Sequence, residues 1–147
     1  MKAWIQRVTE ASVTIGDERV ASCGKGYLIL FSVTHTDTEA MADHLAERVV
    51  KLRIFEDEQG KTNRSIVDVG GSIIVVSQFT LYADTKHGNR PGFSNAARPD
   101  LAIPLYERFV ADLKRLLGED RVSTGRFGAE MKVALINDGP FSVELME

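Results

Sequence analysis

The stretch YLILFSV, at Tyr27–Val33, is nearly continuous in apolar and β-forming residues. A run of this kind is typical of a strand that is buried on both faces, so we place it in the middle of a sheet. A second run, SIIVVSQFTLYA at Ser72–Ala83, opens with β-branched residues and ends in polar ones. It predicts another central strand, because β-branched side chains favour pleated, buried surfaces. The remaining segments are arranged around these two strands.

Further extended segments flank the two central runs, and the glycine-rich or acidic stretches between them are predicted to be turns. Phe55–Gly60, with its acidic run, is interpreted as a solvated turn. Strands are predicted at Met1–Thr9, Ala11–Ile15, Val20–Cys23, Lys61–Val69, Arg121–Thr124, Met131–Asn137 and Phe141–Met146.

Two amphipathic helices are predicted beside the sheet. Thr36 opens a capping-box pattern, and apolar residues at helical spacing follow, which predicts a helix over Asp37–Leu52. Asp100 can cap a second helix that ends at Gly118, with Pro104 in its first turn. The predicted fold class is α/β: a single domain over residues 1–147 with a barrel-like antiparallel or mixed sheet and two main helices.

The composition is ordinary for one globular domain. Of 147 residues, 44% are hydrophobic and 27% are charged. The N-terminal stretch MKAWIQRVTE has no apolar signal-peptide core, so we expect a cytoplasmic protein with no membrane segment. The net charge of −3 argues against a protein that coats nucleic acid nonspecifically. The single cysteine, Cys23, excludes an internal disulfide and is interpreted as a packing residue.

No familiar catalytic motif is present: the chain has no GxSxG elbow, no HExxH and no P-loop. Its three histidines, His35, His44 and His87, lie far apart, so we expect neither a metal site nor a cofactor. Ser77, Gln78 and Thr80 stand where a buried strand stops being apolar, a common place for binding sites. The alternative is that they bond only to neighbouring backbone. Because a hydroxyl is a poor nucleophile without an adjacent base, these residues favour binding over covalent catalysis.

The segment Thr85–Pro99 is predicted to be a long loop, rich in glycine, asparagine and proline. It contains Lys86, Arg90 and Arg98 and no acidic residue, on a chain that is acidic overall. This excess of positive charge suits an anionic partner such as a phosphate backbone. A plain solvated loop is the alternative.

Gly139 and Pro140 stand side by side between two apolar runs. The commonest structure for such a pair is a tight turn. However, X-Pro bonds are cis in about 5–6% of folded cases, and a cis bond here could aim two consecutive carbonyl oxygens the same way. Such a pair of acceptors would suit an ammonium group, whose donors need partners when it leaves water.

Three segments, SQFTLYAD at Ser77–Asp84, TGRFGAEM at Thr124–Met131 and NDGP at Asn137–Pro140, closely resemble those of the D-aminoacyl-tRNA deacylases. The resemblance runs from end to end. It implies a homodimer that hydrolyses the ester joining a D-amino acid, or glycine mischarged on tRNA(Ala), to the terminal adenosine of tRNA. It also implies that Gly139-Pro140 enters the partner subunit's pocket. There its carbonyls would bind the substrate's α-amino group and exclude an L side chain.

The resemblance implies roles for further residues. Ser77, Gln78, Phe79 and Thr80 would form the catalytic wall around the ester, with backbone N–H groups near Phe79 and Thr80 stabilising the oxyanion and the RNA's own 2′-hydroxyl assisting. Four other residues would support the site: Phe127 and Met131 near the adenosine, Arg7 steadying the Gly-Pro loop across the dimer, and Asn137 beside that loop. The family usually continues GPVT, whereas this chain has Phe141 and Ser142 after the proline.

Two other functions stay open. One is a hydrolase of small esters that forms an acyl-enzyme on Thr80 or Ser77. The other is a noncatalytic module that binds tRNA through Lys86, Arg90 and Arg98. The resemblance favours an enzyme that uses no metal and whose partners are the 3′ end of aminoacyl-tRNA and a second copy of the chain.

Overall fold

Eight β-strands and two α-helices make up the fold, which a computed structural model describes over all of residues 1–147. Short 3-10 helices lie at Phe79–Tyr82 and Glu119–Arg121. The strands are β1 (Lys2–Ile15), β2 (Glu18–Cys23), β3 (Gly26–Ser32), β4 (Arg53–Glu56), β5 (Thr62–Ser65), β6 (Ser72–Ser77), β7 (Val122–Thr124) and β8 (Lys132–Met146), and the helices are α1 (Glu39–Lys51) and α2 (Pro99–Leu117).

The long strand β1 organises the sheet. Strand β8 pairs with it antiparallel from Lys2 to Thr14, while β3 and β2 pair with its first and second halves. Strand β6 is parallel to β3, and β7 is parallel to β6. The sheet is therefore mixed and, with its strong curvature, nearly closed into a barrel, which confirms the predicted fold class. The strands β4 and β5 form a separate hairpin.

Each face of the sheet contributes to a different hydrophobic core. Alternate residues of β3 point to opposite faces, so Ile29 and Phe31 pack towards the helices while Leu28 packs inside the curved sheet. On the helix side, the Phe31 and Phe109 rings stack with their centroids 4.4 Å apart. The prediction that YLILFSV lies in the middle of a sheet is confirmed, because both of its faces are covered. The inner core comprises Val8, Ala11, Val13, Ala21, Leu28, Ile74 and Val76.

The helices begin at residues other than those predicted. Thr38, not Thr36, caps α1, and its hydroxyl accepts the Met41 N–H at 3.4 Å. Asp37 lies outside the helix because its buried carboxylate binds the Met1 ammonium and the Thr34 N–H, each at 2.7 Å. Because of this long-range ion pair, α1 begins at Glu39 rather than at Asp37.

Helix α2 begins one residue before the predicted cap. Pro99 occupies its first position, where a missing N–H costs little, so Asp100 lies in the first turn and the Arg98 cap makes no side-chain bond. Pro104 consequently falls in the second turn rather than the first. Neither helix is both long and apolar enough to cross a membrane.

Several predicted strand boundaries are wrong. Met1–Thr9 and Ala11–Ile15 form the single strand β1, and the strand predicted over Ser72–Ala83 ends at Ser77. Phe55 is not in a solvated turn: it lies in β4, is 2% exposed and stacks on Tyr27 with centroids 5.3 Å apart. Burying an aromatic ring outweighs the acidic composition of the residues after it.

Candidate functional site

A cleft opens where the parallel strands β3 and β6 end side by side. The Gln78 N–H still pairs with β3, donating to the Phe31 carbonyl at 2.8 Å, and the chain then leaves the sheet in the 3-10 helix at Phe79–Tyr82. The cleft has a volume of about 310 Å³, and 11 of its 16 lining residues are hydrophobic. A largely apolar cleft at the carboxyl ends of parallel strands is a common location for ligand binding.

One wall of this cleft contains the polar segment identified from the sequence. Ser77, Gln78 and Phe79 line it, and Thr80 follows them on the exposed 3-10 helix. The Gln78 side-chain amide donates to the Thr80 hydroxyl. The first N–H groups of a helix have no partner inside it, which leaves those of Phe79 and Thr80 directed out of the helix. Neither Ser77 nor Thr80 bonds to a histidine or carboxylate.

The opposite wall brings Phe127 and Met131 to the same cleft, together with the exposed Glu130. The Phe127 ring meets the Tyr106 ring edge to face at 5.9 Å. The Tyr106 hydroxyl donates to the Val75 carbonyl at 3.1 Å, and burial raises the pKa of Tyr106 to about 12. Tyr106 therefore stays neutral and supports the wall rather than exchanging protons.

Tyr106 and Ser32 are among the lining residues that the sequence did not predict. Tyr106 is separated by one turn from Ala102 on the buried face of α2, and this i, i+4 spacing was a usable signal. Ser32 is 3% exposed and its hydroxyl has no hydrogen-bond partner. No sequence signal marks it, because it lies inside the apolar run of β3.

Gly139 and Pro140 do not reverse the chain. Within β8, Asn137 pairs with Val8 and Ser142 pairs with Gln6, so the residues 138–141 bulge out opposite a single residue of β1. The Gly139-Pro140 peptide bond is cis, and both residues are exposed. Neither lines the cleft of its own chain. The structure of one chain therefore does not bring this bulge together with Ser77–Thr80.

Arg7 contacts the bulge at residues 138–141 through its side chain. Its side chain is buried and stacks on the Phe141 ring, with the guanidinium carbon 4.9 Å from the ring centroid. The Arg7 Nε donates to the Asp138 carbonyl at 3.0 Å, and the guanidinium also donates to the Ile54 carbonyl. All these contacts lie within one chain, and the expected contact across a dimer stays a prediction. Beside the bulge, the Asn137 side chain accepts the Gln6 amide at 3.3 Å.

The remaining candidates are spread over the surface. Lys86, Arg90 and Arg98 are exposed and none forms a salt bridge. His35 contacts the Ser94 carbonyl at 2.6 Å, and no group of three His, Cys, Asp or Glu side chains is arranged so that it could hold a metal ion. Burial raises the pKa of the Cys23 thiol, which disfavours its reactive thiolate form.

The protein is thus an α/β protein with a largely apolar cleft at the ends of two parallel strands and one short polar segment beside that cleft. The sequence model of the family described as D-Tyr-tRNA(Tyr) deacylase matches residues 4–146. The chain belongs to this family.

Individual relatives agree with this assignment. The D-aminoacyl-tRNA deacylase of Roseiflexus sp. (strain RS-1) is 56% identical over 145 residues, which cover 99% of this chain and 92% of the relative. The D-aminoacyl-tRNA deacylase of Symbiobacterium thermophilum is 54% identical over 143 residues, covering 97% and 93%. Among solved structures, one titled c-Myc DNA Unwinding Element Binding Protein superposes with a TM-score of 0.94 at 38% identity, covering 100% of this chain and 99% of the other.

Proposed function

We propose that the protein hydrolyses the ester bond between a D-amino acid and the terminal adenosine of tRNA, releasing the free amino acid and reusable tRNA. The family match over residues 4–146 carries this proposal, together with relatives above 50% identity that have this activity in their names. The cleft supports it, because the Ser77–Thr80 segment that resembles the family's motif forms one of its walls. A tRNA substrate supports a cytoplasmic location for the protein.

Within the cleft, the ester would lie against Ser77–Thr80. The N–H groups of Phe79 and Thr80 would donate to the ester carbonyl oxygen as negative charge develops on it, an interaction that strengthens in the transition state. No histidine or carboxylate contacts the Ser77 or Thr80 hydroxyl, so neither has the neighbouring base that activates a nucleophile. We therefore assign the assisting hydroxyl to the substrate's own ribose.

Selection of the D configuration is assigned to Gly139 and Pro140 of a partner subunit. Both residues are exposed and lie outside the cleft of their own chain, so a complete site would need a second copy of the protein. The two carbonyl oxygens would accept the substrate's α-ammonium group. With that group held, the Pro140 carbonyl would occupy the space of an L side chain, whereas glycine, which has no side chain, would still fit.

Selection by the backbone carbonyl groups of Gly139 and Pro140 would be more effective than selection by side-chain packing. Packing differences alone give only about 1–3 kcal/mol of discrimination per small group, while an obstruction rejects one enantiomer regardless of its side chain. Arg7 supports the proposal because its bonds to Asp138 and Ile54 give the bulge a fixed position. Lys86, Arg90 and Arg98 would contact the phosphates of the RNA.

Incubation with D-Tyr-tRNA and L-Tyr-tRNA tests the proposal directly. We expect release of D-tyrosine at least roughly 1,000-fold faster than release of L-tyrosine, which exceeds the roughly 10- to 200-fold discrimination that packing of one small group gives. Equal rates, or no release from either substrate, would refute it. Sedimentation of the active protein provides the second measurement, because a monomer with full selectivity would contradict the cross-subunit site.

A further inference from the structure

Two aromatic rings stand exposed at the mouth of the cleft. Phe79 is 56% exposed and Phe93 is 38% exposed, although large aromatic side chains are usually buried. Their ring centroids lie 5.1 Å apart at an interplanar angle of 75°. Phe79 also lines the cleft, so the pair continues its apolar wall outwards.

The backbone on either side of Phe93 is fastened to the rest of the protein. Before it, Gly92 and Asp84 exchange backbone hydrogen bonds of 2.7 and 2.8 Å. After it, the Thr34 hydroxyl donates to the Asn95 carbonyl at 2.6 Å, and the Ala97 N–H donates to the Val33 carbonyl at 2.9 Å. The ring is thus presented on an ordered support, and a ligand that stacks on it would lose little conformational entropy in ordering it.

The same loop has an unbalanced positive charge. Lys86, Arg90 and Arg98 are exposed and without carboxylate partners, whereas Arg108 and Arg115 on α2 are both paired with acids. Two carboxylates flank the loop, those of Asp84 and Asp100, and the Asp84 carboxylate accepts the backbone N–H of Lys86 at 3.0 Å. Exposed aromatic rings beside unpaired cations are the combination with which proteins bind single-stranded nucleic acid.

We propose that Phe79 and Phe93 form a stacking platform for the base of the nucleotide that precedes the terminal adenosine, with Lys86 and Arg90 contacting the adjoining phosphates. This inference rests on the proposed function: if the cleft holds the terminal aminoacyl-adenosine, the single-stranded 3′ end must leave across its mouth. The positive charge favours RNA over an apolar protein surface as the occupant. Stacking on a ring is tolerant of sequence, which suits an enzyme that acts on many tRNAs.

Variants of Phe93 test the platform without substituting any residue of the Ser77–Thr80 wall. Stacking energies of the usual size predict that Phe93→Ala raises KM for D-aminoacyl-tRNA roughly tenfold and leaves kcat unchanged. Phe93→Leu, which keeps an apolar side chain but no ring, should behave like alanine, while Phe93→Tyr should retain the wild-type KM. Val67→Ala is the matched control, because Val67 is also exposed but lies before β6, at the opposite end of the sheet.

Two altered substrates identify what the ring contacts. D-aminoacyl-adenosine, which lacks the preceding nucleotides, should be cleaved equally well by wild type and Phe93→Ala. A D-aminoacyl-tRNA with an abasic nucleotide before the terminal adenosine should raise the wild-type KM roughly tenfold but cause no further rise in Phe93→Ala. If the abasic nucleotide and Phe93→Ala each raise KM independently, so that together they raise it roughly 100-fold, the inference is overturned.

Other occupants of the platform give different results. If Phe93→Ala instead converts a dimer into monomers on sedimentation, the ring covers a partner copy and the inference fails. Failure of the proposed function is distinguishable, because the wild-type protein would then release no amino acid from unmodified D-aminoacyl-tRNA.

Discussion

Gly139→Ala should disturb both the stability and the selectivity of the protein. Gly139 has φ of +131°, a conformation that L side chains rarely adopt. A Cβ added there would lie 3.1 Å from Arg7 Nη2 and 3.1 Å from the Phe141 nitrogen. Backbone strain of about 1–3 kcal/mol, plus roughly 1 kcal/mol for a weakened charged hydrogen bond of Arg7, predicts a loss of about 3 kcal/mol in the free energy of unfolding.

This loss is measurable and has a matched control. For a domain of this size, about 3 kcal/mol lowers Tm by roughly 6–12 °C in thermal unfolding. Gly16 has φ of +59° but nothing within 4 Å of an added Cβ, so Gly16→Ala has the strain without the collision. We expect it to cost only about 1 kcal/mol and to leave deacylation unchanged.

The same two variants test the assignment of selectivity to the bulge. Moving Arg7 or the Gly139 backbone would displace the carbonyl groups proposed to hold the α-ammonium, so Gly139→Ala should lose rate on D-Tyr-tRNA and narrow the ratio of D to L rates. The measurement is release of tyrosine from both substrates below the Tm of each variant. The reasoning is refuted if Gly139→Ala is no less stable than Gly16→Ala and keeps the wild-type ratio.

Three further predictions concern the wall, the loop and the helices. Ser77→Ala and Thr80→Ala should each retain measurable deacylation and show no acyl adduct in mass spectra. Loss of a true nucleophile would instead lower the rate by a factor of about 10⁶, so complete inactivity would support the acyl-enzyme alternative. Arg90→Gln should reduce the slope of log affinity for tRNA against log salt by about 0.7, as expected for one lost phosphate contact, and an unchanged slope would count against that contact. Hydrogen bonding to Arg108 lowers the pKa of Asp43 to about 2, below the value of this carboxyl group in the unfolded chain. The ionised Asp43 therefore stabilises the folded protein at neutral pH, and this stabilisation is lost as pH falls from about 4 to about 2. Asp43→Asn should therefore flatten the acid unfolding curve in that window, and an unaltered curve would show that the pair contributes nothing.

Much of the fold followed from local patterns. The apolar run Tyr27–Val33 and the helical spacing of α1 each predict which side chains are buried, and these patterns are visible within a short window of sequence. The polar end of β6 likewise pointed to the cleft, because the carboxyl ends of parallel strands are where ligands bind. Five of the predicted site residues line the cleft: Ser77, Gln78, Phe79, Phe127 and Met131.

Element boundaries depended on contacts that are distant in the chain. Asp37 was predicted inside a helix, but its bond to the Met1 ammonium places it before α1. Phe55 was predicted in a solvated turn, but the ring of Tyr27 buries it. In each case a partner more than 25 residues away in sequence outweighs the local composition.

From the sequence alone we predicted an antiparallel or mixed sheet with two helices, and Gly139-Pro140 already stood out as an unusual pair. The three-dimensional structure was needed to show that the pair lies in a bulge of β8 and outside the cleft of its own chain. It also showed that Arg7 binds this bulge through the Asp138 carbonyl, 131 residues away in sequence. The physical reason is that periodicity specifies which face of a segment is buried. The register between strands, and the side chains that meet across it, are set by the packing of the whole chain.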